Sequence, residues 1–420
     1  MLSRRPAAIL LGLIAIVSGC GRVPEPRQIP LTHAAYVWKQ GWDERAATGL
    51  SAQVIPEQIT ELTVLVGECG LAGGTRTVQV PWKAVAASGR RIALAVRVGS
   101  RYGANESIWT NLDVGLGLLS KGLSSAREAG LTVTGVQVDF DCPTRLLGVY
   151  ATYLRAARGR GQLDGIALSI TTLPSWLDAP AFKDLIGVVD SWTLQVHGTA
   201  KPSLKNPKPL FSAELALGWI DQACHLNKNF RVALPTYAYL ACFSDKGSYL
   251  GMVAEGSGGL IEGTATTQCL PSRPEEVAKV LEVLKDAHYN KVIAIDWYRL
   301  SLPGDVQAWT IKGLGQVLTG KAMDCSLRID LLRQGALTDI TVVNPTEQPL
   351  PLPAILAEWD TPAQLFGADG TTDWQANDNG NSVRFERRPG TGFLAAGERR
   401  VVGWIRLNKD QPVRATVTQE

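Results

Sequence analysis

Asp139 and Asp141 stand two residues apart at the end of a short apolar run, Gly135-Val136-Gln137-Val138-Asp139-Phe140-Asp141-Cys142-Pro143. Side chains of an extended strand alternate faces, so Gln137, Asp139 and Asp141 share one side and Val136, Val138 and Phe140 the other. Two carboxylates held this close suit general acid–base work, because each raises the proton affinity of its neighbour. A Pro and a helical pattern follow at once, with Leu146, Leu147, Tyr150, Tyr153, Leu154 and Ala157 at three- and four-residue spacing. Strand, acids, then helix is the order in which a (β/α)8 barrel delivers catalytic groups to the C-terminal ends of its strands. A plainer reading is that an Asp ahead of a Pro-initiated helix caps it. The enzyme reading requires these acids to open on a cleft rather than be buried in bidentate ion pairs.

The elements that would position them alternate between strand-like and helical runs from about residue 32 to 320. The expected strands are Ala34 to Trp38, Leu62 to Val66, Ile92 to Val98, Val133 to Phe140, Gly165 to Thr171, Ser191 to Val196, Arg231 to Pro235 and Val292 to Trp297. Asp113 to Ala129, Ala179 to Val189 and Pro274 to Ala287 read as helices between them. This pattern favours an α/β fold, a (β/α)8 TIM barrel over residues 32–322, although an open three-layer sheet would also show it. After Asp324 no helical period survives, and short alternating runs such as Leu327 to Leu331 and Ser382 to Phe385 predict a small C-terminal β-sandwich over 323–420. Its expected role is to cover the barrel's flank.

Further polar and aromatic groups fall near the expected strand ends. Glu68 follows the second strand, Arg97 lies in the third, Gln195 and His197 end the sixth, Tyr237 follows the seventh, and Asp296 closes the eighth with Trp297, Tyr298 and Arg299. A two-carboxylate glycosidase would use Asp141 as acid with Asp296 or Glu68 as partner, since opposed carboxylates can come from different strands. Arg97 would pair with one of these acids or bind an anionic sugar. Trp38, Trp176 and Trp297 would stack on sugar faces or pack the barrel. Leu240 to Ser272 is long for a connection and rich in Gly; with Cys242 and Cys269 paired it would form a stapled lid. Lys201 to Pro209 would make a second wall, its lysines either solvated or turned toward an acidic polysaccharide.

The amino terminus speaks to location. Arg4 and Arg5 precede an apolar run, Ala7 to Val17, too short to span a bilayer and built as a secretory signal. Val17-Ser18-Gly19-Cys20 sets small residues directly before a Cys, the pattern of a bacterial lipoprotein signal over residues 1–19. Acylation of Cys20 would anchor the protein to a membrane, because several chains on one residue exceed the single-acyl threshold for stable attachment. Gly21 rather than Asp after the Cys favours the outer membrane, facing the periplasm. Residues 20–31 are Pro-rich and polar and read as a tether. About 400 residues then remain, enough for a barrel and one module. A net charge of +3 gives no reason to expect nucleic acid. Six Cys after Cys20 suggest disulfides in an exported chain, with Cys242 and Cys269 the preferred pair. The absence of a CxxC motif or a His-rich cluster argues against zinc, and no cofactor motif appears.

The strand Gly135 to Cys142 resembles the DxxDxDxE strand of family 18 chitinases, and Val189 to Gln195 and Val232 to Tyr237 resemble that superfamily's sixth and seventh strands. More closely, Gln137 to Asp141, Leu168 to Trp176 and Ala233 to Tyr237 resemble the bacterial lipoprotein family catalogued as domain of unknown function 3142. That likeness implies a chitinase-like barrel and a polysaccharide or oligosaccharide as partner. Against the chitinase pattern, Gln137 stands where an Asp is usual, Asp139 at the last Asp, and Asp141 where the acid Glu belongs. Asp is one methylene shorter, which moves a proton donor away from a glycosidic oxygen. The resemblance further implies that Asp139 orients an acetamido group acting as nucleophile, and that Tyr237 hydrogen-bonds the developing oxazoline. The alternative is a non-catalytic barrel that binds glycan or scaffolds partners, its acids degenerate.

Overall fold

The computed structural model describes residues 25–71, 74–99, 108–159, 165–254, 259–388, 390 and 392–418; the expected signal peptide and Cys20 lie outside them. Eight parallel strands close into a barrel: β1 (Thr32–Val37), β2 (Ile59–Leu71), β3 (Arg91–Val98), β4 (Val133–Phe140), β5 (Ala167–Thr172), β6 (Ser191–Gln195), β7 (Phe230–Pro235) and β8 (Val292–Tyr298). Each pairs with its sequence neighbour, and β1 pairs with both β2 and β8, so no edge is left and the open-sheet alternative is excluded. Helices Ile108–Glu128, Pro180–Val188 and Pro274–Val283 occupy positions expected from the sequence.

Period-two alternation divides the barrel into two environments. Val136, Val138 and Phe140 face outward and join one core with Leu94, Val96, Leu168, Ile170, Leu147 and Leu154 beneath the helices. The inward positions are polar and aromatic and stack in layers. In the middle of the barrel, Tyr36 donates its hydroxyl to Gln137 Oε1 at 2.7 Å, Gln137 Nε2 donates to Thr193 Oγ1 at 3.3 Å, and Thr193 donates to Asp296 Oδ2 at 2.8 Å. Arg231 closes the chain with two nitrogens on Asp296 and one on Glu61 at 3.1 Å. A buried carboxylate is tolerable there because the guanidinium supplies charge and hydrogen bonds together.

Between β7 and β8 an excursion of three antiparallel strands, Ala238–Phe243, Tyr249–Val253 and Thr266–Pro271, rises over the C-terminal mouth. This is the expected lid, but not a stapled one: no disulfide joins Cys242 to Cys269. Cys242 faces Thr267 and Cys269 faces Leu240 in the antiparallel register, so the two thiols are diagonal neighbours. Diagonal Cβ atoms lie roughly 7–8 Å apart, well beyond the roughly 4 Å a disulfide needs. The Cys69, Cys142, Cys224 and Cys325 thiols are likewise unpaired.

Residues beyond Asp324 form two antiparallel four-stranded sheets that pack face to face around Ile340, Ile355, Trp359, Trp374, Phe385 and Ile405, the small sandwich the alternation implies. It grips the barrel at Glu347, which accepts from Thr310 Oγ1 at 2.5 Å and pairs with Lys312. It also reaches the lid, where Leu240 packs with Phe393 and Cys269 Sγ donates to the Gly392 carbonyl at 3.4 Å. No described helix is long and apolar enough to cross a membrane.

Candidate active site

The C-terminal ends of the eight strands and the lid enclose a cavity of about 410 Å³. Its lining includes Tyr36, Trp38, Gln40, Glu68, Arg97, Asp139, Asp141, Thr171, Gln195, His197, Tyr237, Met252, Tyr298 and Arg299. Every barrel strand or the loop that follows it contributes, which is how this architecture usually builds a site.

The floor is one layer of charged groups in register across three strands. Glu68 of β2 lies beside Arg97 of β3, and Arg97 beside Asp139 of β4. Simple alternation would not put Glu68 there, because Leu65 already faces inward and an odd step would send Glu68 out. A register shift between Leu65 and Gly67 inserts one residue and re-aims Glu68 into the barrel. Gly67 makes the bulge feasible: a Cβ at that position would lie 2.9 Å from Leu118 Cδ1 and 2.9 Å from the Arg76 carbonyl oxygen. Glu68 accepts from Gln40 Nε2 at 2.9 Å, and Asp139 accepts from Thr171 Oγ1 at 2.6 Å. Burial alone would weaken the Arg97 guanidinium's hold on its proton, but Asp139, Tyr298, Asp141 and Glu68 together raise it, so Arg97 stays a cation.

Asp141 follows the strand at the cavity rim, where its side chain still reaches solvent. Desolvation by surrounding protein atoms, then the neighbouring Asp139 charge, push its carboxyl up to about 6, with Arg97 pulling the other way. Neither acid caps the following helix, whose N-cap is Pro143 with no side-chain hydrogen bond, and neither forms an ion pair within 4.0 Å among the described residues. The plainer capping reading is therefore set aside.

Aromatic rings form the opposite wall. Tyr298 is central, with ring centroids 5.5 Å from Tyr36, 5.5 Å from Trp38, 5.3 Å from Tyr237 and 5.5 Å from His197. Burial lowers His197 to about 3, so its imidazole is neutral. Its Nδ1 sits 3.5 Å from the Tyr237 hydroxyl, while its buried Nε2 has no partner among the described residues. Burial likewise holds the Tyr237 phenol protonated. Gly198, at φ +64°, turns the chain just beyond; a Cβ would come 3.4 Å from the Tyr237 hydroxyl.

Of the residues singled out from the sequence, Trp38, Glu68, Arg97, Asp139, Asp141, Gln195, His197 and Tyr237 meet at this cavity. Four do not. Gln137 lies one layer below, 4 % exposed and committed to Tyr36 and Thr193. Asp296 is 2 % exposed and held by Arg231, so it does not stand opposite Asp141 as a second carboxylate. Trp297 faces outward, the parity opposite to Asp296, and donates its indole N–H to His33 Nδ1 at 3.2 Å. Trp176 is buried against Phe182 behind the barrel wall. Sequence reading passed over Tyr36, Thr171, Gln40 and Met252 as site residues, while Tyr298 and Arg299, named beside Asp296 at the end of the eighth strand, do line the cavity. A signal existed for Tyr298, which shares Asp296's inward parity and lies one layer nearer the mouth. No group of three or more metal-ligating side chains occurs among the described residues.

Residues 110–303 match the family model described as domain of unknown function 3142, and residues 327–408 match domain of unknown function 8456. The first is the family that the Gln137–Asp141, Leu168–Trp176 and Ala233–Tyr237 segments resemble. No curated protein matches the chain in sequence. Among solved structures, similarity extends to the spore cortex-lytic enzyme SleL of Bacillus megaterium QM B1551, at 11% identity and TM-score 0.47 over 71% of this chain and 76% of that one. A chitinase from Chromobacterium violaceum ATCC 12472 is similar at 15% identity and TM-score 0.46, over 69% and 99% of the two chains. Chitinase ChiA74 from Bacillus thuringiensis gives 9% and 0.43 over 92% and 100%. Likenesses this distant transfer no substrate and no residue role.

Proposed function

We propose that this chain, whose barrel carries the domain of unknown function 3142, is a glycoside hydrolase of the cell envelope acting on a polysaccharide that bears 2-acetamido groups. The observation that carries the reading is the Asp139–Asp141 pair opening on an aromatic-walled cavity at the barrel's C-terminal mouth, with Asp141 lifted to about 6. Asp141 then holds a proton under mildly acidic conditions and gives it to the leaving glycosidic oxygen. Asp139, fixed by Thr171, orients the substrate's acetamido group for attack on the anomeric carbon. The protonated Tyr237 hydroxyl donates to that group as charge develops. Trp38 and Tyr298 stack on sugar rings. On the same reading Cys20 carries the lipid anchor, and the barrel works on the periplasmic side of the outer membrane.

A second reading, glycan binding without hydrolysis, draws support from two observations. Gln137 is neutral and committed to Tyr36 and Thr193, and Asp141 is a short acid. Release of reducing ends from chitin-like, peptidoglycan and acidic glycans, measured for wild type and Asp141→Asn, separates the two. Loss of release in a folded Asp141→Asn protein supports hydrolysis. No release by either protein, with binding retained, supports the second reading.

A further inference from the structure

The β6–β7 connection beside the mouth is basic, with three lysines and no acid over residues 199–209. Residues 199–209 form an arm that leaves the cavity lining at Gly198, its neck closed by the Gly198 N–H on the Leu210 carbonyl at 2.9 Å. The arm between carries Pro202, Pro207 and Pro209, which fix φ and cut its freedom before any ligand arrives. It leans on the lid: Lys201 Nζ lies 5.7 Å from the Tyr249 ring centroid, and Leu204 Cδ1 comes within 3.8 Å of a Cβ placed on Gly247. This contact sets the arm that carries Lys201, Lys205 and Lys208 against the lid turn that carries Lys246, and all four are exposed. None forms an ion pair among the described residues, whereas Lys279, Lys285 and Lys312 elsewhere do. Asp245, in the same turn, accepts from the Lys246 backbone N–H, and Glu262 further along the lid is the other exposed acid among the lid's described residues. Across the barrel, four strands away, the exposed Arg76 on strand Gly74–Thr77 bonds the neutral Gln40.

We infer that this mouth selects an anionic glycan, one whose sugars carry carboxylates, by reading their charge with Lys201, Lys205, Lys208 and Lys246 along the lid-side wall. The inference rests on the glycan reading above and adds the substrate's charge class to it. An exposed lysine contributes little singly, but four on a pre-ordered arm act together on a polyanionic chain, and their attraction weakens with salt. The cavity floor is not the source of this preference, since Glu68, Asp139 and Asp141 outnumber Arg97 there. The acidic groups of the ligand are therefore expected at the rim, on sugars flanking the one that enters.

The test compares the N-acetylglucosamine hexamer with its carboxymethylated form, which keeps the backbone and adds carboxylates. Binding is measured by calorimetry on the full chain in detergent, carrying Asp141→Asn so that turnover does not consume the probe. The expected result is about tenfold or more tighter binding of the carboxymethylated hexamer at low salt, with the gap closing as salt rises. A Lys201→Gln/Lys205→Gln/Lys208→Gln/Lys246→Gln variant with unchanged melting is expected to bind both hexamers alike. Equal affinity of the parent protein for both hexamers overturns the charge inference and leaves the glycan reading intact. A preference that survives in the four-lysine variant also overturns it. A short DNA duplex bound as tightly as the acidic hexamer would show a generic polyanion surface and overturn it as well. Failure to bind either hexamer removes the glycan reading together with this one.

Discussion

Replacing Asp139 with Asn should lower the proton affinity of Asp141, and the size of the fall follows from the strand. Two side chains on the same face, two residues apart, sit roughly 7 Å from one another. Asp141 is at the rim, so an effective dielectric of about 40, between a protein surface and water, is appropriate. Coulomb's law then gives about 1.2 kcal/mol, or about 0.9 of a pKa unit. Asp139 is the second cause of the shift after desolvation, and Arg97 opposes both. Removing Asp139 leaves the desolvation and Arg97 in place, so Asp141 should fall from about 6 to about 5. Arg97→Gln should move Asp141 the other way by a similar amount. The assay is a carbon-13 NMR titration of the Asp141 side-chain carboxyl, which needs no substrate and does not depend on turnover. An Asp141 pKa that stays within a few tenths of its wild-type value in Asp139→Asn, or rises, would refute the argument that the two acids act on each other across one strand face.

Other perturbations probe separate links. Asp141 binds its proton more tightly folded, at about 6, than unfolded, near 3.8. Its contribution is therefore fully present below about pH 4 and lost as pH rises to 6; melting temperatures across that window should fall less steeply in Asp141→Asn. Hydrolysis that needs the protonated acid should hold below about pH 5 and decline as pH rises through about 6, and a rate that climbs through pH 6 would assign the proton donor elsewhere. Asp296→Asn leaves the partly buried Arg231 without its main counter-charge and should cost about 2–4 kcal/mol in urea unfolding, while the Asp141 titration stays in place. Gly67→Ala drives a Cβ into Leu118 and the Arg76 carbonyl, for about 1–3 kcal/mol of lost stability and a displaced Glu68. Because no disulfide joins Cys242 to Cys269, reducing agent should leave the melting temperature unchanged, and a titration of the unfolded protein should find both thiols.

Much of this protein is legible without coordinates. The run Val133 to Phe140 is the fourth strand to the residue, and the other seven expected strands fall within a few residues of those observed. Strand periodicity is a local property: hydrophobic Val136, Val138 and Phe140 must be buried, so Asp139 must point the other way. The change at Asp324 from helical to alternating texture is equally local, and marks the sandwich. What only the tertiary structure decided is height within the barrel and neighbour across it. Asp296 has the right parity but sits a layer too deep, where Arg231 and Thr193 claim it. Trp297 and Trp176 are rim-like in sequence and core in space, because outward positions face the helices. Glu68 reaches the floor only through a bulge that alternation does not announce. The two thiols of the lid are bracketed in sequence yet offset by two residues in register. For Asp296, Glu68 and the two thiols the deciding quantity is the stagger between strands, which closure of the whole barrel or pairing of distant segments sets, and which no single strand encodes.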